Sequence, residues 1–238
     1  MTTPTQSPPT RPRGGLTGAL ESREPQRRSY GDYRTFIRKH YDGMAGALTA
    51  VTGVLTGHEA LAGRLIRPGA FDVRGCKHIL DAGCGNGRYS RFLLRRADAD
   101  AVLTGFDLSL NMLHRARARL ASPRVSHVAA DLTRLPYADG AFDAVVCGWV
   151  LEHLPQPEPG LRELARVLRP GGKLLLLCTE DTLTGAMCSR LWHCRTYNRD
   201  DLRRRCAACG LRWQNELWFS RFHRWLKLGG IIVELRKD

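Results

Sequence analysis

Three glycines at alternate positions, Gly83, Gly85 and Gly87, follow an aspartate, Asp81, at the end of the apolar residues Ile79 and Leu80. An amphipathic run from Tyr89 to Leu94 comes next. A buried strand, a tight glycine loop and the start of a helix together cradle a nucleotide-like ligand at the edge of a parallel sheet. Each glycine has a physical task. Gly83 permits the sharp turn, Gly85 lets a ligand lie against bare backbone, and Gly87 lets the helix pack close to the strand. The spacing is G-x-G-x-G rather than the dinucleotide G-x-G-x-x-G, and position 88 is arginine. Asp81, read as sitting at the mouth of the loop, would repel a pyrophosphate.

Two further acids close the next two apolar runs. Val102 to Phe106 ends in Asp107, and Val125 to Ala130 ends in Asp131. Asp107 follows Gly83 at about the separation expected of a carboxylate that bonds a ribose. One such aspartate is readily a helix cap, whereas three at successive strand ends, in register with a glycine loop, outline a site.

Asp81-x-Gly83-x-Gly85-x-Gly87 resembles the first motif of the class I S-adenosylmethionine-dependent methyltransferases. Gly105-Phe106-Asp107-Leu108-Ser109 resembles the second, and Ala130-Asp131-Leu132 the third. The block from Leu135 to Val146, then Leu151-Glu152-His153-Leu154, then Arg166 to Gly172, is similar to the small-molecule branch that includes the quinone C-methyltransferases. The resemblance covers residues 75–180 strongly and the ends weakly. It implies that Asp81, Gly83, Gly85, Asn86, Asp107, Leu108, Asp131, Leu132 and Trp149 contact S-adenosylmethionine. In it Asp107 takes the ribose hydroxyls, Asp131 the adenine amino group, and the backbone N–H of Leu132 meets the ring. Trp149 is read either as packing on the adenine or sulfonium, where an aromatic face favours a cation, or as core. His153 is the first candidate for a catalytic base, followed by His40 and Tyr41.

The elements that position these residues alternate. Strands are expected at Lys77 to Leu80, Ala101 to Phe106, Val125 to Ala130, Phe142 to Cys147 and Lys173 to Cys178, with helices at Tyr89 to Arg96, Leu110 to Leu120 and Pro159 to Leu168. Ser109 is expected to cap the second of these helices, and Arg169 to Gly172 to form a turn. This is an α/β, doubly wound, Rossmann-like sheet with helices on both faces. Strands at Leu211 to Phe219 and Ile231 to Leu235 add what the resemblance makes an antiparallel C-terminal hairpin, seven strands in all. A helix from Leu202 to Cys209 follows the polar stretch Asn198 to Asp201, and Gly210 stops it. Tyr33, Ile37, His40 and Tyr41 share one helical face before the first strand. The chain divides into a disordered basic tail (1–29) and a methyltransferase domain (30–238). Within the domain lie lid helices (30–74), a cofactor-binding core (75–180) and a C-terminal helix with hairpin (181–238).

The 238 residues carry 37 basic and 23 acidic side chains, a net charge of +14. The mean hydropathy of −0.31 is that of a globular protein, and no apolar run is long enough to span a bilayer. We read the chain as cytoplasmic, with peripheral membrane contact as an option. Of eight cysteines, Cys76, Cys84, Cys147 and Cys178 fall in or beside core strands as small apolar residues. Cys206-x2-Cys209 has metal-ligand spacing but lies within a helix, so no structural metal is expected.

The favoured activity is methyl transfer to a small, apolar or amphipathic acceptor such as a quinone, lipid or secondary metabolite. Alternatives are methylation of nucleic acid or protein, motivated by the charge, or a non-catalytic cofactor-binding module. No Asn/Asp-Pro-Pro-Tyr/Phe follows the fourth strand and no Pro-Cys dipeptide is present, so nucleic acid is not the expected partner. Trp213, Trp218, Phe219, Phe222, Trp225, Leu226 and Leu228 crowd the C-terminus with Arg221, Arg224 and Lys227 interleaved. Either they pack beneath the last two strands, or, with the uncharged residues 43–57, they border an apolar entrance at a membrane surface.

Overall fold

The computed structural model describes residues 29–43, 58–226 and 228–238. The basic tail before Ser29, residues 44–57 and Lys227 lie outside the described residues. Two helices, α1 (Tyr30–Asp42) and α2 (His58–Leu65), precede the sheet. Then come β1 (His78–Ala82), α3 (Arg88–Arg96), β2 (Val102–Asp107), α4 (Leu110–Leu120), β3 (Val125–Ala129) and β4 (Phe142–Gly148). A 3₁₀ turn at Leu151–His153 leads to α5 (Glu158–Val167), β5 (Leu168–Cys178), α6 (Leu183–Trp192) and α7 (Arg199–Ala208). The chain closes with β6 (Leu211–Glu216), α8 (Arg221–Trp225) and β7 (Ile231–Lys237).

The seven strands form one sheet in the order β3-β2-β1-β4-β5-β7-β6. The first five are parallel neighbours, while β7 runs antiparallel to both β5 and β6. Both faces of the central strands are buried, by alternate residues. Leu80, Val145, Leu174 and Leu176 join α5 and α7 in one core. Ile79, Val146, Leu175 and Leu177 join α2 and α3 in the other. The reversal of strand order between β1 and β4 leaves a crevice at their carboxyl ends, where ligands settle in such sheets.

Local chemistry fixes the helix starts. Ser109 accepts a hydrogen bond from Met112 N, as expected, and Asn198 accepts one from Asp201 N. Ser29 does the same for Asp32 N at the start of α1. Asp143 accepts from the backbone N–H groups of Lys77 and His78 at 2.6 and 2.8 Å, which ties the start of β1 to β4. Arg166 donates to the carbonyls of Leu135 and Tyr137 and pairs with Asp139, drawing in the loop between β3 and β4.

Several boundaries differ from the sequence reading. β1 ends at Ala82, so Asp81 lies inside the strand rather than at the mouth of the loop. Arg169 to Gly172 belongs to β5 as an irregularity: Phe142 pairs with Leu168 but Ala144 with Lys173. β6 stops at Glu216, and Trp218 and Phe219 lie outside it. Helix α6 was not anticipated.

Candidate active site

The glycine loop lies on the carboxyl edge between β1 and β2. Cys84 N donates to Phe106 O at 2.8 Å and Gly87 N to Cys84 O at 2.9 Å, which fixes the turn against the end of β2. All three glycines have left-handed backbone, with φ of 66°, 53° and 81°. Their surroundings separate their roles. A Cβ on Gly83 would lie 2.3 Å from Val150 Cγ2, whereas one on Gly85 would meet nothing within 4 Å. Gly85 therefore presents bare backbone to open space. A Cβ on Gly87 would meet Leu120 and Ala116 of α4. Gly87 thus admits the neighbouring helix, rather than bringing α3 closer to its strand as expected.

The three aspartates occupy different environments. Asp107 accepts from Gly85 N through Oδ2 and from Ser109 N through Oδ1, both at 2.9 Å. Burial raises its pKa, and the backbone N–H groups partly offset that rise. Asp81 accepts from Ser90 Oγ at 2.5 Å. Its Oδ1 is buried with no partner among the described residues, and burial pushes its pKa up to about 7. Asp131 is enclosed by side chains: Tyr30 OH donates to Oδ1 at 2.5 Å, Thr133 N to the same atom at 2.9 Å, and Arg34 Nη1 to Oδ2 at 3.2 Å. Burial opposes its charge, but these bonds outweigh burial and hold the carboxylate below the usual range.

Helix α1 crosses the carboxyl edge and ties these parts together. At its C-terminal end Asp42 accepts from Ser109 Oγ at 2.5 Å, and Asn111 Nδ2 donates to Asp42 O at 3.3 Å. Tyr33 OH donates to His193 O at 2.8 Å. Tyr41 OH lies 3.0 Å from Nε2 of His153. The two residues ranked after His153 in sequence are therefore in its immediate neighbourhood. His40 stands edge-on to Tyr41, Trp192 and His193, with ring centroids 5.6, 6.4 and 5.6 Å away. Burial, then His40 and His193, lower the His153 pKa to about 4, so its ring is neutral near neutral pH. Its Nδ1 is buried without a partner among the described residues.

Among the other expected residues, Leu132 is buried in the core, while Asn86 and Leu108 are partly exposed. Trp149 has φ of 56°. It stacks on Phe219 with centroids 6.2 Å apart and tilts against Tyr89 at 6.3 Å. Sequence reasoning missed Tyr30, Arg34, Asp42, Glu152, Trp192 and His193 as members of this region. Glu152 is buried, accepts from Thr179 Oγ1 at 2.5 Å, and has its pKa raised by burial to about 8. Its place directly before the candidate histidine, in the apolar-flanked Leu151-Glu152-His153-Leu154 segment, was the available signal. Cys76, Cys84, Cys147 and Cys178 are buried in the core. No group of three or more His, Cys, Asp or Glu is placed to hold a metal among the described residues.

Residues 80–176 match the family model described as a methyltransferase domain. The chain is 41% identical over 113 residues to the methyltransferase GfsG of Streptomyces halstedii, covering 44% of this chain and 39% of that protein. It is 33% identical over 144 residues to the ubiquinone/menaquinone biosynthesis C-methyltransferase UbiE of Desulfotalea psychrophila, covering 60% and 58%. The matched part thus spans less than two thirds of either relative. The fold resembles magnesium protoporphyrin IX methyltransferase of Synechocystis PCC 6803, with a TM-score of 0.67, 20% identity, and coverage of 87% of this chain and 100% of that one. Over residues 80–176 the chain resembles the class I S-adenosylmethionine-dependent methyltransferases and is similar to their quinone C-methyltransferase branch.

Proposed function

We propose that the protein transfers a methyl group from S-adenosylmethionine to a small, apolar or amphipathic acceptor. The observation that carries this reading is the coupling of Gly85 to Asp107. A bare, left-handed glycine faces open space while its N–H holds the carboxylate from the end of β2. That arrangement suits a ligand with vicinal hydroxyls lying on the loop.

The residues present fit such a ligand. Asp107 would accept from the ribose hydroxyls, and the partnerless Oδ1 of Asp81 would accept from the ammonium of the amino-acid end. Gly83, Gly85 and Asn86 would line that end, Leu108 and Trp149 the sides, and Asp131 with the Leu132 backbone the adenine. The Oδ1 of Asp131 is saturated, so its Oδ2, which Arg34 also touches, would take the adenine amino group. Bound there, the cofactor supplies a methyl on a sulfonium with its leaving group built in. The protein's own part is alignment and exclusion of water.

In this reading residues 30–74 act as a lid, 75–180 hold the cofactor and 181–238 complete the acceptor side. The ring cluster of Phe36, His40, Tyr41, Trp192 and His193 supplies an aromatic wall beside His153. A ring whose pKa is lowered to about 4 is a weak base. His153 therefore holds the Tyr41 hydroxyl in place beside the acceptor through Nε2 more than it removes a proton. The test is calorimetry with S-adenosylmethionine and its demethylated product. Asp107→Ala should weaken binding by about 1.5–3 kcal/mol, the loss of a charged hydrogen-bond pair. If the unmodified protein binds neither ligand, the reading fails. A screen of quinones, lipids, RNA and protein with labelled methyl donor then identifies the acceptor class.

A further inference from the structure

Large apolar side chains exposed among the described residues are concentrated at one end of the sheet. Leu183, Met187 and Leu191 lie four residues apart on α6, and Phe222, Trp225 and Leu226 lie on or just after α8. Val102 and Leu110 are the others of this kind. Met187, Leu191 and Trp225 are 62%, 64% and 78% exposed, so each helix turns apolar side chains outward rather than into the rim of the core. Clustering of this sort marks a contact surface, whereas single exposed residues do not.

Both helices flank the carboxyl end of β5. Helix α6 begins shortly after Cys178, and Ile231, just beyond α8, pairs with Cys178. Arg199 links the two segments by pairing with Glu180 and with Glu216, each at 3.0 Å. The root of α8 is anchored. Phe219 is buried and stacks on Trp149, and the adjoining Val150 packs on Gly83 of the glycine loop. Ser220 accepts from His223 N and bonds its ring nitrogen at 2.7 Å. The aromatic face of α8 is therefore held outward by a fixed base next to the crevice.

Charge selects the occupant. From Leu217 to Leu228 the ionised side chains are Arg221, Arg224 and Lys227, with no acid, and α6 carries Arg190 and no acid. A second copy of this chain would bring the same positive charges to the same face, at a repulsive cost. An anionic lipid surface complements both properties, because rings settle at headgroup depth while cations meet phosphate. No helix among the described residues is long and apolar enough to cross a membrane, so the contact is with the surface.

We propose that α6 and α8 form a docking surface for an anionic lipid bilayer, placing the crevice against the membrane. The contact does not depend on which acceptor is methylated. It is tested with the full chain by co-sedimentation with vesicles of phosphatidylcholine alone or mixed equally with phosphatidylglycerol, at low and physiological salt. The unmodified protein should partition onto the anionic vesicles. Phe222→Ser with Trp225→Ser, and separately Leu183→Ser with Met187→Ser and Leu191→Ser, should each reduce partitioning on the order of tenfold or more. Arg221→Glu with Arg224→Glu should reduce it on the order of tenfold or more and flatten its salt dependence. Circular dichroism and cofactor affinity should be unchanged in all three, since these side chains are exposed and lie outside the cofactor site. Absence of binding to either vesicle overturns the proposal. So does binding that survives all three sets of changes, which would assign it to the basic tail. Sedimentation velocity showing a dimer that Trp225→Ser disperses overturns it in favour of self-association.

Discussion

The Tyr41 hydroxyl, on helix α1, lies 3.0 Å from Nε2 of His153, on the turn after β4. Burial raises the tyrosine pKa and lowers that of the histidine, so both partners are neutral at neutral pH. They share one hydrogen bond, and the His153 Nδ1 has no partner among the described residues. A pair of this kind ties α1 to the turn after β4. It offers little driving force for proton removal.

The expected outcome for His153→Gln is a loss in kcat below about tenfold, with cofactor affinity kept, because glutamine retains a hydrogen-bonding end. A general base typically contributes about 10²–10⁴-fold. A loss in that range, together with a pH–rate profile that shifts in the variant, would assign proton abstraction to His153. Tyr41→Phe should raise KM for the acceptor more than it lowers kcat, since it releases α1 from His153 while leaving the ring in place. In the unmodified protein the histidine should not titrate between pH 6 and 9, because its folded pKa lies near 4.

Asp81 and Glu152 give the ligand-free protein a pH-dependent stability of definite sign. Burial raises their pKa values from 3.8 to about 7 and from 4.5 to about 8. Between each pair of values the native state holds a proton that the unfolded state has released, so stability falls as pH rises. The contribution is fully present below about pH 4. It is lost as pH rises through about 7 for Asp81 and about 8 for Glu152. Urea unfolding at pH 5 and pH 8 should show the decline, and Asp81→Asn and Glu152→Gln should each flatten it. An unchanged slope in both variants would mean that neither carboxyl titrates differently on folding.

The features legible in the sequence are those written in short-range chemistry. The strand, glycine loop and helix were visible because alternate glycines follow an apolar run. Ser109 was readable as a cap because a hydroxyl three residues before a free N–H has one obvious use. Pairings across long separations left no such trace. Tyr30 and Asp131 lie 101 residues apart, and nothing near either one announces the other. Helix α6 was invisible for a different reason. Its exposed face carries Leu183, Met187 and Leu191, so the polar stripe that normally reveals a surface helix is missing. The C-terminal aromatics divide between both readings: Phe219 is buried in the core, while Phe222 and Trp225 face outward.

Gly83 and Gly85 should respond oppositely to the same substitution. Both have positive φ, so alanine costs roughly 1–2 kcal/mol of backbone strain at either position. At Gly83 the added methyl would also sit 2.3 Å from Val150 Cγ2, adding an overpacking cost of roughly 1–3 kcal/mol. At Gly85 the methyl enters open space, and its penalty falls on the ligand. Thermal unfolding should rank Gly83→Ala as the less stable variant. Calorimetry should show Gly85→Ala losing S-adenosylmethionine affinity by more than its smaller loss of stability accounts for. The reverse ranking would mean that the ligand does not lie on Gly85.

Helix α1 is held to Asp131 by Tyr30 at 2.5 Å and Arg34 at 3.2 Å. The Arg34 side chain is half exposed, and an ion pair of that exposure contributes little, on the order of 0–1 kcal/mol. The Tyr30 hydroxyl is partly buried against a carboxylate, so its bond is the stronger tether. Tyr30→Phe should therefore speed both entry and release of S-adenosylmethionine, by about threefold to tenfold each, the equivalent of a net hydrogen bond of roughly 0.5–1.5 kcal/mol. If α1 gates both directions, the equilibrium affinity should change less than either rate. Arg34→Ala should have a smaller effect that vanishes at high salt. Stopped-flow fluorescence of cofactor binding measures these rates. If Tyr30→Phe leaves both rates unchanged, α1 does not gate the cofactor and its contact with Asp131 is structural alone.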